Sequence, residues 1–385
     1  TGTLFFHPQT VHRHLLRDAH SYPIEKSLYF RDLHHFYTFS QPLLRILRIS
    51  YYFFIHEPSG SRKEVIHIMK LICAKNELLK SVNISLKAVS SKTTMPILEC
   101  ILIDASAAEI TFTSNDMELG IETKVKGIIE EKGIVALDAK LFSDIIRKLP
   151  DSDVTIQTDA NLNTTITCEK AKFTIPGKSG DDFAYLPVIE RTEGIEISQF
   201  TLKEVIRQTI FSIAANENNK LMTGELFEIK DNMLKVVSLD GHRIAIRKIE
   251  LKDNYPARKV VVPGKTLNEI SKILSGEVED QVKIFFTENH IVFEFDDTVV
   301  VSRLIEGEYF RIDQMLSSDY ETKVKINKRE FLECIDRATL FVKEGDKKPI
   351  IITIDDTGMQ LNINSQMGSM NEEIDIDKEG KDIMI

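Results

Sequence analysis

From residue 69 onward, the apolar positions of the chain alternate between two periods. Short runs rich in β-branched residues read as strands, at 97–103, 109–113, 226–230, 233–238, 282–286, 291–295 and 350–354. Turn formers separate them, as in Lys230-Asp-Asn-Met and Asp355-Asp-Thr-Gly. Five stretches carry apolar residues at helical spacing instead, at 75–89, 138–149, 201–213, 264–275 and 327–340. In the first, Leu78, Val82, Leu86 and Val89 share a face, and in the second Leu141, Ile145, Ile146 and Leu149 do. The order strand, helix, several strands predicts an α+β fold in which helices pack on antiparallel sheets.

The pattern repeats. Ala74-x-x-Glu77-Leu78-Leu79, Thr201-x-x-Glu204-Val205-Ile206 and Asn327-x-x-Glu330-Phe331-Leu332 each open a helix after a strand-like run, 127 and then 126 positions apart. An inner unit recurs as well: the strand and helix of 134–149 are echoed at 260–274, again 126 positions on. A period this long is one small domain rather than a solenoid repeat, so copies of one domain stand in series. The implied boundaries are 69–190, 191–319 and 320–385. Counting 126 on from Val260 puts the third inner unit near position 386, so the third domain is expected to hold only its first half. Its helix and sheet are then expected to expose apolar faces, and dimerisation and partner binding to suffer.

Composition sets residues 1–68 apart. They hold eight of the ten histidines and 12 of the 30 Phe and Tyr residues, but five of the 59 acidic residues. A metal-binding segment around His12, His14, His34 and His35 lacks evident carboxylate or Cys partners. The apolar run at 43–55 is short for a membrane span and carries Arg45 and Arg48. The segment is therefore expected to be an atypical, non-native or disordered extension, with the chain proper beginning at Met69. Cys73, Cys100, Cys168 and Cys334 stand singly, without the spacing of a zinc site or a disulfide framework, and point to a reduced, cytoplasmic compartment. No metal or cofactor is expected.

From Met69 the chain has 41 basic and 54 acidic residues, a net charge of −13. The five helices run against this trend, with 13 Lys or Arg against eight Asp or Glu. If these helices share a surface, it faces a polyanion; an ordinary solvated helix face gives the same count.

Several strings bear a resemblance: Lys92-Thr-Thr-Met-Pro-Ile-Leu98, Asn115-Asp-Met-Glu118, Phe211-Ser-Ile-Ala214, Asp240-Gly-His-Arg-Ile-Ala245, Val260-Val-Val-Pro263 and Arg303-Leu-Ile-Glu-Gly-Glu308. Together, in this order, they resemble the bacterial DNA polymerase III β subunit, the sliding clamp. The resemblance implies tandem clamp domains with two helices each, and a head-to-tail homodimer that closes a six-domain ring around duplex DNA. It implies a processivity factor without catalytic activity, tethering the DNA polymerase III alpha subunit, the clamp loader delta subunit and other proteins that carry a clamp-binding motif. A non-ring peptide-binding scaffold is the rival reading.

By position, the resemblance puts DNA-facing residues at Lys92, Lys140, Asn216, Lys220 and Lys265. It puts a partner-peptide pocket at Met222, Leu239, Gly241, His242, Arg243, Ile244, Phe310, Gln314 and Met315. Phe310 stands where the family commonly has proline, and Leu239 where it has a small polar residue. Asp240-Gly-His-Arg243 is also the most enzyme-like string, but His242 has no nucleophile or metal partner at recognisable spacing. A plain turn, in which Asp240 and Gly241 set the bend while His242 and Arg243 satisfy backbone groups, is the other alternative. The dimer seam falls on Phe173 and Ile175 against Leu340 and Phe341, with Lys170 and Lys172 opposite Glu372 and Glu373 of the partner copy.

Overall fold

The computed structural model describes residues 69–90, 93–192, 194–215, 219–315, 321–342 and 350–385. The extension at 1–68, Lys92 and Asn216 lie outside them. The first repeat runs β1 (Met69–Ala74), α1 (Lys75–Ser85), β2 (Cys100–Asp104), β3 (Ile110–Asn115), β4 (Leu119–Val125), β5 (Ile128–Glu131), β6 (Ile134–Asp138), α2 (Ala139–Lys148), β7 (Asp153–Thr158), β8 (Asn163–Cys168) and β9 (Ala171–Lys178). The second runs β10 (Gly194–Ser198), α3 (Gln199–Thr209), β11 (Gly224–Leu239), β12 (Ile244–Pro263), α4 (Gly264–Ile273), β13 (Gln281–Phe286), β14 (His290–Phe295) and β15 (Thr298–Arg303), followed by the single-turn α5 (Ile312–Met315). The last stretch holds β16 (Thr322–Ile326), α6 (Lys328–Thr339), β17 (Ile351–Asp355), β18 (Gly358–Ser365), β19 (Gly368–Ile374), β20 (Ile376–Gly380) and β21 (Ile383–Met384). Helices packed on antiparallel sheets in tandem repeats match the expected fold class.

Side-chain oxygens accept the free first-turn amides at three helix starts. Asp138 takes Leu141 N–H at 2.7 Å, Ser198 takes Thr201 N–H at 3.1 Å, and Asn327 takes Arg329 and Glu330 N–H at 3.0 and 3.3 Å. The Ser198 cap starts α3 two residues before Thr201. At the other end of the first helix in each repeat, a serine from the neighbouring strand donates to a carbonyl of the last turn. Ser114 Oγ reaches Ser85 O at 2.6 Å, and Ser238 Oγ reaches Thr209 O at 2.5 Å. Each helix buries one stripe: Leu78 and Val82 on α1, Phe142 and Ile146 on α2, Val205 and Ile206 on α3, and Leu267 and Ile270 on α4. Leu141, at the margin of the α2 stripe, is exposed.

The strand expectations need three corrections. Residues 96–99 form a 3-10 turn and not the start of a strand, because Pro96 fixes φ and donates no ladder hydrogen bond. The runs 226–230 and 233–238 are one strand, β11, bent at a bulge around Asp231, whose φ is +55°. The third inner unit begins at Ile383 instead of near 386: Ile383 and Met384 pair with Ile354 and Thr353 of β17, as β6 pairs with β2.

Repeats one and two are joined by their sheets. Thirteen strands form one sheet in the order β10-β13-β14-β15-β4-β3-β2-β6-β9-β8-β7-β1-β5. The joint is antiparallel β15 against β4, with Val300 opposite Ile121 and Thr298 opposite Thr123. The threonine hydroxyls meet at 2.9 Å, buried. Leu119 and Ile121 of β4, with Ile84 of α1 and Ala88 just beyond that helix, belong to the same apolar cluster as Leu202, Phe227, Phe293 and Val300. The final stretch has its own small core around Cys334, Leu361 and Ile374.

The paired hydroxyls make a prediction. Thr123→Val leaves Thr298 Oγ1 buried without its partner and should cost about 1–2 kcal/mol, whereas the Thr123→Val, Thr298→Val double variant should recover most of that loss. Urea unfolding midpoints of the four proteins measure the cycle; equal costs for the single and the double variant would contradict the joint.

Candidate functional site

Of the residues expected in a partner pocket, Met222, Leu239, Ile244 and Phe310 meet in a small apolar cluster on and beside β11 and β12. Leu226, Val237, Leu239, Val261, Tyr309 and Ile312 are buried there, with Leu221, Met222, Ile244 and Phe310 half-buried against them. Met222, Ile244 and Phe310 thus stand where a partner side chain can touch them. Leu239 does not: it is fully buried and forms the floor. Gln314 and Met315 are exposed on α5. Tyr309 and Leu221 were not among the expected pocket residues; an aromatic beside Phe310 was the available signal for Tyr309. Its ring meets Phe310 edge-on at 5.5 Å, and its hydroxyl lies 3.4 Å from Val237 O and 3.5 Å from Gly224 O.

In the turn between β11 and β12 Asp240 and Gly241 set the bend, as the plain-turn alternative had it, but backbone amides are satisfied not by the side chains of His242 and Arg243 but by that of Asp240. Its Oδ1 accepts His242 N–H at 3.1 Å and Arg243 N–H at 3.2 Å, and its Oδ2 accepts Arg243 Nε–H at 3.0 Å. These donors hold the Asp240 carboxyl below its ordinary range, the His242 amide foremost. Gly241 supplies the left-handed conformation, φ +91°, that the bend requires. Gly241, His242 and Arg243 are exposed, and the Arg243 guanidinium sits 5.6 Å above the Phe211 ring. A cavity of about 850 Å³ shares Phe310 and Gln314 with the expected pocket and Leu226, Val261, Tyr309 and Ile312 with the apolar cluster. Its walls also carry charge: Lys259 and Lys235 hold Glu228 at 2.7 and 3.6 Å.

Of the DNA-facing candidates, Lys140 and Lys220 are exposed, on the first turn of α2 and on the 3-10 turn Lys220–Thr223. Lys265, at the start of α4, is ion-paired with Asp116 of the first repeat. With Lys87, Glu269 and Lys272 it lines a cleft of about 440 Å³ between the α1 and α4 regions. Many helix cations are already neutralised: Arg207 by Glu204 at 2.7 Å, Lys272 by Glu269 at 2.7 Å, Arg329 by Glu333 at 2.8 Å, and Arg337 by Glu372. Lys80, Lys87, Lys140 and Lys148 have no carboxylate within ion-pair distance among the described residues.

At the seam candidates, β9 pairs with β8 along its length but with β6 only at Gly177 and Lys178, so residues 171–175 present an open edge. β19 pairs with β18 alone. Phe173 is 38% exposed and Leu340 69%, while Phe341 is half-buried beside Gly368. Ile175 is core, covered by the first-repeat cluster. Lys170 and Lys172 are exposed. Glu372 is occupied by Arg337, which holds its carboxyl below the ordinary range; Glu373 accepts from Gln360 Nε2 at 3.1 Å.

Residues 69–187 match the family model of the DNA polymerase III beta subunit N-terminal domain, and 196–310 that of its central domain. The chain is 35% identical over 328 residues to the beta sliding clamp of Staphylococcus aureus, covering 83% of this chain and 87% of that protein. The chain belongs to the DNA polymerase III beta subunit family, the beta sliding clamps. Among solved structures, a putative DNA polymerase III beta subunit from Eubacterium rectale is 72% identical with a TM-score of 0.81, covering 82% of this chain and 87% of that one. The DNA polymerase sliding clamp of Bacillus subtilis is 35% identical with a TM-score of 0.79, covering 83% and 86%. A beta sliding clamp is a non-catalytic accessory subunit of DNA polymerase III, which removes the enzymatic reading of Asp240 to Arg243. Among the described residues, no helix of this clamp is long and apolar enough to cross a membrane.

One carboxyl beneath the partner cluster is out of place for a clamp core. Glu225, on β11 between Gly224 and Leu226, is fully buried; its Oε2 accepts from Thr209 Oγ1 at 3.1 Å, and its Oε1 has no partner among the described residues. Burial pushes its pKa up to about 8, against a small opposing effect of the Thr209 hydroxyl. The folded state therefore holds a proton that the unfolded chain releases near 4.5. Its contribution to stability falls as pH rises from about 5 to about 8 and levels off above. Glu225→Met should remove that slope, gaining on the order of 2–4 kcal/mol over the parent between pH 5 and 8. Denaturant unfolding at stepped pH measures it; a difference independent of pH would show that Glu225 is ionised in the fold.

Proposed function

We propose that this sliding clamp closes with a second copy into a ring around duplex DNA, slides along it and tethers the replicative polymerase, raising processivity. The repeats are three clamp domains, with boundaries near residues 190 and 320. The observation that carries the reading is the pair of open strand edges. Unpaired edges invite addition of another strand, and soluble proteins cover or blunt them. β9 of one copy and β19 of its partner supply each other's missing neighbour. Phe173 and Leu340 are the apolar contacts, and Lys170 and Lys172 meet the acidic face of β19, mainly Glu373, since Glu372 already serves Arg337.

Charge supports the ring in the same way. A protein of net charge −13 beyond residue 68 gains little from ordinary DNA association, which depends on Lys and Arg displacing counterions from phosphates. A closed ring holds DNA by topology and needs weak contacts. Lys80, Lys87, Lys140 and Lys148, free of carboxylate partners, offer phosphate contacts without base information, which permit sliding. Lys220 joins them, with Lys265 when it leaves Asp116, and Lys92 and Asn216 complete the proposed lining. DNA polymerase III alpha subunit, clamp loader delta subunit and other motif-bearing partners insert a short apolar peptide against Met222, Ile244 and Phe310. The compartment is the cytoplasm.

Loaded onto a nicked circular duplex, the clamp should stay bound through gel filtration and be released when one restriction cut linearises the circle. Retention on the linear form with free ends would sink the ring; a non-ring scaffold would be indifferent to the cut.

A further inference from the structure

The turn at the rim of the partner groove occurs twice in the chain. Subtracting 124 from Ser238, Asp240, Gly241, His242 and Arg243 gives Ser114, Asp116, Met117, Glu118 and Leu119. Asp116 Oδ1 accepts Glu118 N–H at 3.0 Å and Leu119 N–H at 2.7 Å, as Asp240 does from His242 and Arg243. Asp116 N–H donates to Leu119 O at 3.0 Å, as Asp240 N–H does to Arg243 O at 3.4 Å. Met117 takes the left-handed conformation, φ +76°, that Gly241 takes in the second turn. At the second turn a glycine does this without strain; at the first a methionine does it with strain, and its side chain is 53% exposed.

An irregular segment, residues 184–192, crosses the first turn. Asn115 Nδ2 donates to Ala184 O at 2.9 Å, and Leu186 seats on Gly120, where a Cβ would overlap its Cδ2. Beside this anchor lies a cleft of about 130 Å³ with Met117, Glu118, Tyr185, Leu186, His290 and Arg303 in its walls. Tyr185 is 54% exposed, so with Met117 two large apolar side chains of the cleft wall stand in water. The Arg303 guanidinium has no carboxylate within ion-pair distance among the described residues. His290 is held toward its neutral form by burial and by Arg303, so Arg303 carries the positive charge there.

We propose that this cleft at the junction of the first two repeats is a second peptide-docking site, which takes an extended segment bearing an apolar side chain next to a carboxylate. The apolar residue enters between Met117 and Tyr185, and the carboxylate meets Arg303. Glu118 lines the same cleft, so acidic peptides at large are not favoured; a carboxylate gains only where it reaches Arg303. The strained methionine is retained because it supplies a flexible apolar wall that glycine cannot. The inference extends the partner-groove reading to the first copy of the same turn, and the two are separable by experiment.

A displayed random heptapeptide library is panned on the immobilised chain, and the selected peptides, labelled with a fluorophore, are titrated by anisotropy against the parent, Met117→Gly, Arg303→Glu and Phe310→Ala. Met117→Gly relieves the backbone strain and should keep or raise the thermal unfolding midpoint, so a loss of binding there is not a loss of fold. One class of peptides should bind Phe310→Ala as well as the parent and lose at least about tenfold in affinity with Met117→Gly and with Arg303→Glu. If every selected peptide is insensitive to both, the second site is overturned. Peptides sensitive to Phe310→Ala alone would leave the partner groove standing while removing this one.

Discussion

Thr123 and Thr298 are 175 positions apart in the chain, yet their hydroxyls share a buried hydrogen bond where β4 and β15 pair. That antiparallel joint makes one sheet of two repeats and lets their apolar cores touch through Leu119 and Ile121. The helix layers are aligned as a consequence. α1 and α2 pack on strands of the first repeat, α3 and α4 pack on the β11–β12 ribbon, with β10 beside α3, and Lys265 of α4 reaches Asp116 across the junction. The joint gives the lysines of successive helices the common frame that the proposed DNA-facing surface requires.

The same joint explains how positive charge is placed in an acidic chain. Helix cations near the outer carboxylates are consumed in pairs at i,i+3 or i,i+4, each worth a few tenths of a kcal/mol and easily screened. Among the described residues, the lysines without a carboxylate partner include Lys80 of α1, Lys87 just beyond it, Lys140 and Lys148 of α2, and Lys328 of α6. Lys265 is intermediate, because Asp116 also holds the turn before β4 through two backbone amides. Asp116 therefore ties turn geometry, inter-repeat contact and one DNA-facing candidate to a single carboxylate.

Periodicity made most of the fold legible. The five helical stretches became α1, α2, α3, α4 and α6, whereas the repeat spacing put the third inner unit near 386 and β21 begins it at Ile383. What escaped was governed by contacts distant in sequence. Nothing local tells that β4 pairs with β15, that Leu239 lies under the groove while Ile244 faces it, or that Ile175 is core while Phe173 is not. Glu225 is the sharpest case: alternation marks its position as inward-facing, but a carboxylate there reads as solvent-exposed until Thr209 and the surrounding β11 and α3 atoms are placed. The expected pocket residues came from resemblance, and burial separates Leu239 from Met222, Ile244 and Phe310.

The central claim, that two repeats form one rigid sheet through β4 and β15, is tested most directly by native-state hydrogen exchange of peptides spanning 119–125 and 298–303. Protection equal to that of the interior strands β3 and β14, with exchange only through the largest opening event, is the predicted result. Exchange of 119–125 and 298–303 within seconds, while β3 and β14 stay protected, would contradict it.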